Sequence, residues 1–288
     1  MPRANPTLPR HVEALLIAAK RFSAKQGFVM ASHVAMSLML ALFPFMLFTV
    51  ALAGALSQDY LTDDVIALVF GAWPEEVAGP ILDELNAVVS GPGTGTITLG
   101  GLLAVYFASN GVDAVRVAMT QAYHDQDDMP FWKSRLLCIG LVLAGGGALL
   151  FTAAVELVLP FYSNLVTERL PGEAPDWISI ERLQWIFAVM MPVALVFLSH
   201  LLLPTRRHSL MQILPGVLLT LALWAAGGWV FSYYISQFAT YSATYAGLAG
   251  AMAALIFLYS YAVILILGAE YNGALMDLGV RAPQPVDG

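Results

Sequence analysis

The chain has 288 residues, 59% of them hydrophobic and only 11% charged, with a formal net charge of -7 and a mean hydropathy of +0.73. Soluble domains run at roughly 45–50% apolar and 25% charged, so a water-soluble globule of this composition would expose large apolar patches. A single cysteine, Cys138 in an apolar stretch, excludes an intramolecular disulfide and a cysteine-built zinc cage, and reads as an inert packing residue.

From the N-terminus, residues 10–26 put Val12, Leu15, Leu16, Ala19 and Phe22 on one helical face, with Arg10, Lys20, Arg21 and Lys25 beside it. That is the pattern of a helix lying on a membrane surface with its cations among anionic headgroups; a solvated helix capping a bundle is the alternative. A membrane span needs about 20 apolar residues. Candidate spans follow at about 28–56, 96–115, 136–160, 183–203, 212–236 and 244–272. Ala53-Gly54-Ala55 mimics a signal-peptide cleavage site. The apolar run before it is too long for a signal h-region and carries Pro44, so the segment is expected to stay attached.

The second span is the least apolar, because Asn110, Asp113 and Arg116 fall toward its end, and topology decides for it. With six spans, Arg3, Arg10, Lys20, Arg21, Lys25, Arg116, Lys133, Arg135, Arg206, Arg207 and Arg281 share one side, and only Arg169 and Arg182 lie on the other. Deleting the second span would export Lys133, Arg135, Arg206 and Arg207 against the positive-inside rule. The expected fold is therefore all-α: a single membrane domain over 1–288, six transmembrane helices, both termini cytoplasmic. Between spans one and two, residues 61–89 read as two amphipathic outer helices broken at Trp73-Pro74, and the tail 281–288 reads as disordered.

Lipid is as apolar as leucine, so helices associate where small residues let backbones approach. Gly100, Ala104 and Ala108 supply such a face in span two; Ala246, Gly250 and Ala254 supply one in span six; Gly145-Gly146-Gly147 and Gly227-Gly228 are expected to add narrow faces to spans three and five. Pro44 frees a backbone carbonyl near mid-membrane and is expected to kink span one. Tyr233, Tyr234, Tyr241 and Tyr245 read as an aromatic belt, and Glu156 as an interfacial group.

Ionisable and amide groups inside spans are costly and mark candidate functional positions. His33, Asn110, Asp113, Arg116, His200, Glu270 and Asn272 all fall toward the cytoplasmic ends of four different spans. Asp113 and Arg116, three apart, can pair on one helix. The convergence suggests a polar cavity or gate. Enzyme motifs are absent: the glycine-rich stretch 90–98 lacks a Gly-Lys-Ser/Thr, there is no His-Glu-x-x-His, and adjacent Ser199-His200 point about 100° apart on a helix. The expectation is a non-enzyme with no metal and no cofactor. With no basic groove for phosphate contacts, no nucleic-acid partner is expected either.

Residues 214–275, with Pro215-Gly216, a Tyr-rich turn at Tyr241 to Tyr245 and the ending Leu267 to Asn272, resemble the closing signature of the BrkB family of bacterial inner-membrane proteins. This family is also written YihY and was formerly labelled ribonuclease BN-like. SLMLALFPFML at 37–47 resembles its first span, and Ser109 to Tyr123 followed by PFWKSRL at 130–136 resembles its second-span exit. Two departures stand out: Tyr245 is followed by Ala246 where the family carries Gly, and FLYSY at 257–261 lacks the family's Trp. The resemblance implies a bacterial inner-membrane envelope component, virulence-factor-like by name, connected with lipid or solute transport. The expected function is transport of a lipid or amphipathic solute, with membrane lipids as partners. A non-transporting structural or assembly role, with a protein partner docked on 61–89, is the alternative. The sequence leaves oligomeric state open.

Overall fold

The computed structural model describes residues 9–56, 94–147, 180–238 and 242–280, with side chains placed at 9–41, 101–147, 189–234 and 251–279. The expected outer helices at 61–89, residues 148–160 of the third span with Glu156, the tail 281–288, Tyr241 and the side chain of Tyr245 lie outside these residues.

Every described element is helical, and there is no strand among the described residues. In chain order the helices are α1 (Arg10–Ala24), α2 (Gly27–Leu56), α3 (Thr94–Ala122), α4 (131–147), α5 (Ile180–Leu202), α6 (Leu210–Phe238) and α7 (Ser242–Val280). Among the described residues three stretches, Gly101–Ala122, Leu210–Tyr234 and Ala251–Gly279, are long and apolar enough to cross a membrane. α2 runs unbroken through Pro44.

α7 is the hub, with α1, α2, α3 and α6 packed along it; α3 also lies against α2, and α5 against α6. At 1.5 Å rise per residue its 39 residues reach about 58 Å, roughly twice the hydrocarbon thickness of a bilayer. The hydropathy pattern fades at residue 272, whereas the helix runs on to Val280, and those last turns present Asp277 to α1. α3 likewise continues past the expected 115, because Ala118, Met119 and Ala122 are buried in the main core.

The turn between α1 and α2 is fixed by sterics. Gln26 takes a left-handed backbone (φ 59°), and Phe22 folds back so closely over Gly27 that any side chain there would strike its ring. α3 ends in the same way, with His124 at φ 61° and the Asp125 N–H reaching back 3.0 Å to Thr120 O, the 6→1 bond of a Schellman ending.

α1 meets α7 through small residues, Ala14 and Ala18 against Ala274, with Tyr271 and Leu275 completing the contact. Val12, Leu15, Leu16 and Ala19 stay exposed on the far side, while Phe22, expected on that same face, turns inward to the core. The α6–α7 crossing is tighter still. A methyl on Gly268 would collide with Thr220 Oγ1, and one on Gly216 with Gly268 O and the Asn272 amide. Gly228 faces the Tyr261 hydroxyl and Gly227 faces Ile264, so this expected narrow face is used. At Gly145-Gly146-Gly147 no described atom lies within 4 Å of where their side chains would stand. Ala104 is buried, and Gly111, which the four-residue pattern passed over, receives Leu38 of α2.

Candidate functional site

The C-terminal ends of α3, α5 and α7 meet the N-terminal ends of α2, α4 and α6 at one level, and α1 lies across that end against α7. Three polar clusters occupy this layer.

The deepest centres on Asn272, fully buried on α7. Its Oδ1 accepts from the Gly216 N–H at 2.6 Å, and its Nδ2 donates to Ile213 O and to Tyr123 Oη, each at 2.8 Å. These two backbone groups flank Pro215, which has no N–H to give the helix ladder. The carbonyl left without its helical donor is that of Met211, so the Asn272 bonds to Gly216 and Ile213 add to the ladder of α6 and tie it to α7. Because Tyr123 accepts from Asn272, its own proton goes to His200 Nδ1, 2.7 Å away. That order places the imidazole proton on Nε2, which is buried without a partner among the described residues. Tyr123 also stacks on His208 at 4.6 Å, and His208 Nε2 lies 3.2 Å from Asp125 Oδ2. Burial holds the Tyr123 phenol well above its ordinary pKa, so it remains a neutral donor and acceptor.

The second cluster ties α3 to α4 and to the loops beyond α3 and α5. Arg116 is buried and spans two carboxylates: its Nε donates to Asp113 at 2.8 Å, and its two Nη groups clasp Asp127 at 2.9 and 3.0 Å. Ser134 donates to Asp113, and Thr205 donates to Asp127. Arg135 binds Ser109 Oγ at 2.8 Å and Asn110 Oδ1 at 2.7 Å while lying over the Tyr106 ring. The bidentate Arg116 contact holds the Asp127 carboxyl below the usual carboxylate range. Cys138 is buried at this edge, its sulfur 3.8 Å from Asp113.

The third cluster fastens α1. Glu270, with a side chain only 3% exposed, receives Lys25 Nζ at 3.0 Å; its other oxygen stands 3.3 Å from His124 Nε2 without a well-aligned hydrogen bond. Arg21 pairs with Asp277 at 2.7 Å.

Of the sequence-derived candidates, Asn110, Asp113, Arg116, His200, Glu270 and Asn272 all enter this layer; His33 does not, being exposed on α2. Each of the six has a partner among the described residues. The void beside Glu270 and Lys25 measures about 10 Å³, at the threshold for one water. Sequence reasoning missed Tyr123, Asp127, Arg135, Lys25 and His124, which sit at helix ends or in loops where polar residues are ordinary. Their only signal was a position next to span boundaries. Among the described residues no group of three His, Cys, Asp or Glu is placed to hold a metal.

The chain is 26% identical over 259 residues to a ribonuclease-like protein, YfkH, of Bacillus subtilis (strain 168), covering 88% of this chain and 92% of that protein. It is 38% identical over 88 residues to a UPF0761 membrane protein of Alkalilimnicola ehrlichii, covering 31% of this chain and 20% of the relative. No solved structure matches. The family described as Virulence factor BrkB matches residues 18–285, nearly the full length, and the chain belongs to this family of membrane proteins.

Proposed function

We propose that the chain crosses the bacterial inner membrane six times with both termini in the cytosol and moves a lipid or amphipathic solute, the polar layer serving as its inner gate. The observation that carries this reading is Glu270. A carboxylate this deep in an apolar helix is expensive, and a buried ion pair is often no more stabilising than well-packed hydrophobic residues would be. Its presence there is better explained by use than by stability. Lys25 and Arg21 hold the end of α1 onto the hub through ion pairs and Phe22 seats it in the main core, so opening at that end breaks both pairs and draws Phe22 out of the core. The orientation is supported by the crowding of Lys and Arg on the same end as this layer.

Transport is tested in proteoliposomes carrying a fluorescent phospholipid, with a membrane-impermeant quencher outside. Translocation above protein-free vesicles, changed in rate by Glu270→Gln, is expected; rates equal to empty vesicles overturn the proposal for phospholipids.

A structural or assembly role is the second reading, supported by the pairing within the layer. It predicts no translocation and a stoichiometric protein crosslinked through 61–89. An enzymatic reading gains nothing from the site, where Asp113, Asp127 and Glu270 are each tied to a cation. We therefore read the chain as a non-enzyme.

A further inference from the structure

We propose that a groove between the start of α1, the start of α6 and the end of α7 binds the anionic headgroup of a membrane phospholipid from the leaflet on the α1 side. The groove holds about 410 Å³, within the range of small-ligand sites, and is lined by Arg10, His11, Met211, Gln212 and Leu275, among others. None of its described lining residues is a carboxylate.

The cationic end is built in. Arg10 lies over the end of α7 because Gly279 has no side chain: a Cβ there would stand 2.7 Å from the guanidinium. One Nη donates to Leu275 O at 3.1 Å, which uses one of the five guanidinium donors and orients the fork. His11 beside it is anchored through Nδ1 to the Tyr271 hydroxyl at 2.8 Å. α1 starts at this point with no side-chain cap; the Val12 and Glu13 amides bond Pro9 O, so the amides ahead of them add to the positive end.

The other end is apolar. Met211 is 88% exposed, and Leu214 and Leu218 follow it on the same stripe of α6, both exposed. Cationic donors running directly into an exposed aliphatic stripe match a phosphate ester bearing acyl chains. Free phosphate would use only the first half. The inference does not rest on transport, since a lipid held here can be structural.

The full-length protein, delipidated in detergent, is offered dioleoylphosphatidylglycerol or dioleoylphosphatidylcholine and examined by native mass spectrometry. Preferential retention of the anionic lipid is expected, falling about tenfold in Arg10→Ala. Met211→Glu, at a position too exposed to disturb packing, sets a carboxylate at the mouth and should produce a similar fall. Equal retention of both lipids, unchanged retention in both variants, or displacement by glycerol phosphate alone would overturn the proposal.

Discussion

Replacing Asn272 with Leu removes the amide that serves both sides of Pro215 and supports Tyr123. Three short hydrogen bonds are lost, to Gly216, Ile213 and Tyr123. At about 0.6 kcal/mol each, the average for interhelical bonds in membranes, they account for about 2 kcal/mol. Gly216 and Ile213 lie within α6, where the helix ladder still serves them. The Tyr123 hydroxyl keeps only His200, and its weakened pairing adds about 1–2 kcal/mol. The expected loss is about 3–4 kcal/mol, read as the shift in unfolding free energy in an SDS titration of mixed micelles. Asn272→Asp keeps the shape and the bond from Gly216 but turns an acceptor toward Ile213 O, so it should fall well below wild type too. A loss under about 1 kcal/mol for both variants would refute the reasoning, because the amide would then not be the tie between α6 and α7.

Three further outcomes are expected. The folded-state pKa of Asp127 is depressed, so its contribution to stability is complete above the unfolded carboxylate value of about 3.9 and is lost as pH falls through the folded value; unfolding followed against pH should show this acid slope, and Arg116→Met should flatten it. Gly268→Leu forces a side chain into Thr220 at the α6–α7 crossing and should cost about 1–3 kcal/mol or prevent folding, measured in the same titration, whereas Gly146→Leu, with no described atom within 4 Å, should be neutral. His33→Ala should leave both stability and any translocation activity unchanged, since His33 stands outside the layer.

The helices were legible because apolar runs of bilayer length leave the backbone few alternatives. Helix ends were less so. Arg116 and Asp277 look like boundary residues to a hydropathy reading, yet α3 and α7 continue past the apolar pattern because Ala118, Ala122 and Leu275 still have protein to pack against. The same limit applies to the polar layer. Glu270 and Asn272 stand out in an apolar helix, but Lys25, Tyr123 and Asp127 lie where charge is unremarkable, and only tertiary packing reveals them as partners. His33 marks a different limit: its position along α2 does not specify which face it occupies, and among the described residues it stands exposed. Glycines carried a mixed message, since a run such as Gly145-Gly146-Gly147 permits close approach without requiring it. Gly216 and Gly268 mattered because Thr220 and Asn272 stand opposite them.

Whether the polar layer is a moving gate or a fixed strut decides between transport and architecture, and Cys138 reports on it directly. It is the single cysteine of the chain, fully buried beside Asp113. Reaction of a water-soluble maleimide with Cys138 in native membranes should be slow but measurable in the wild type, and faster in Arg135→Ala, which frees α4 from Ser109 and Asn110. A Cys138 that stays unreactive to the same degree in both would contradict a layer that opens.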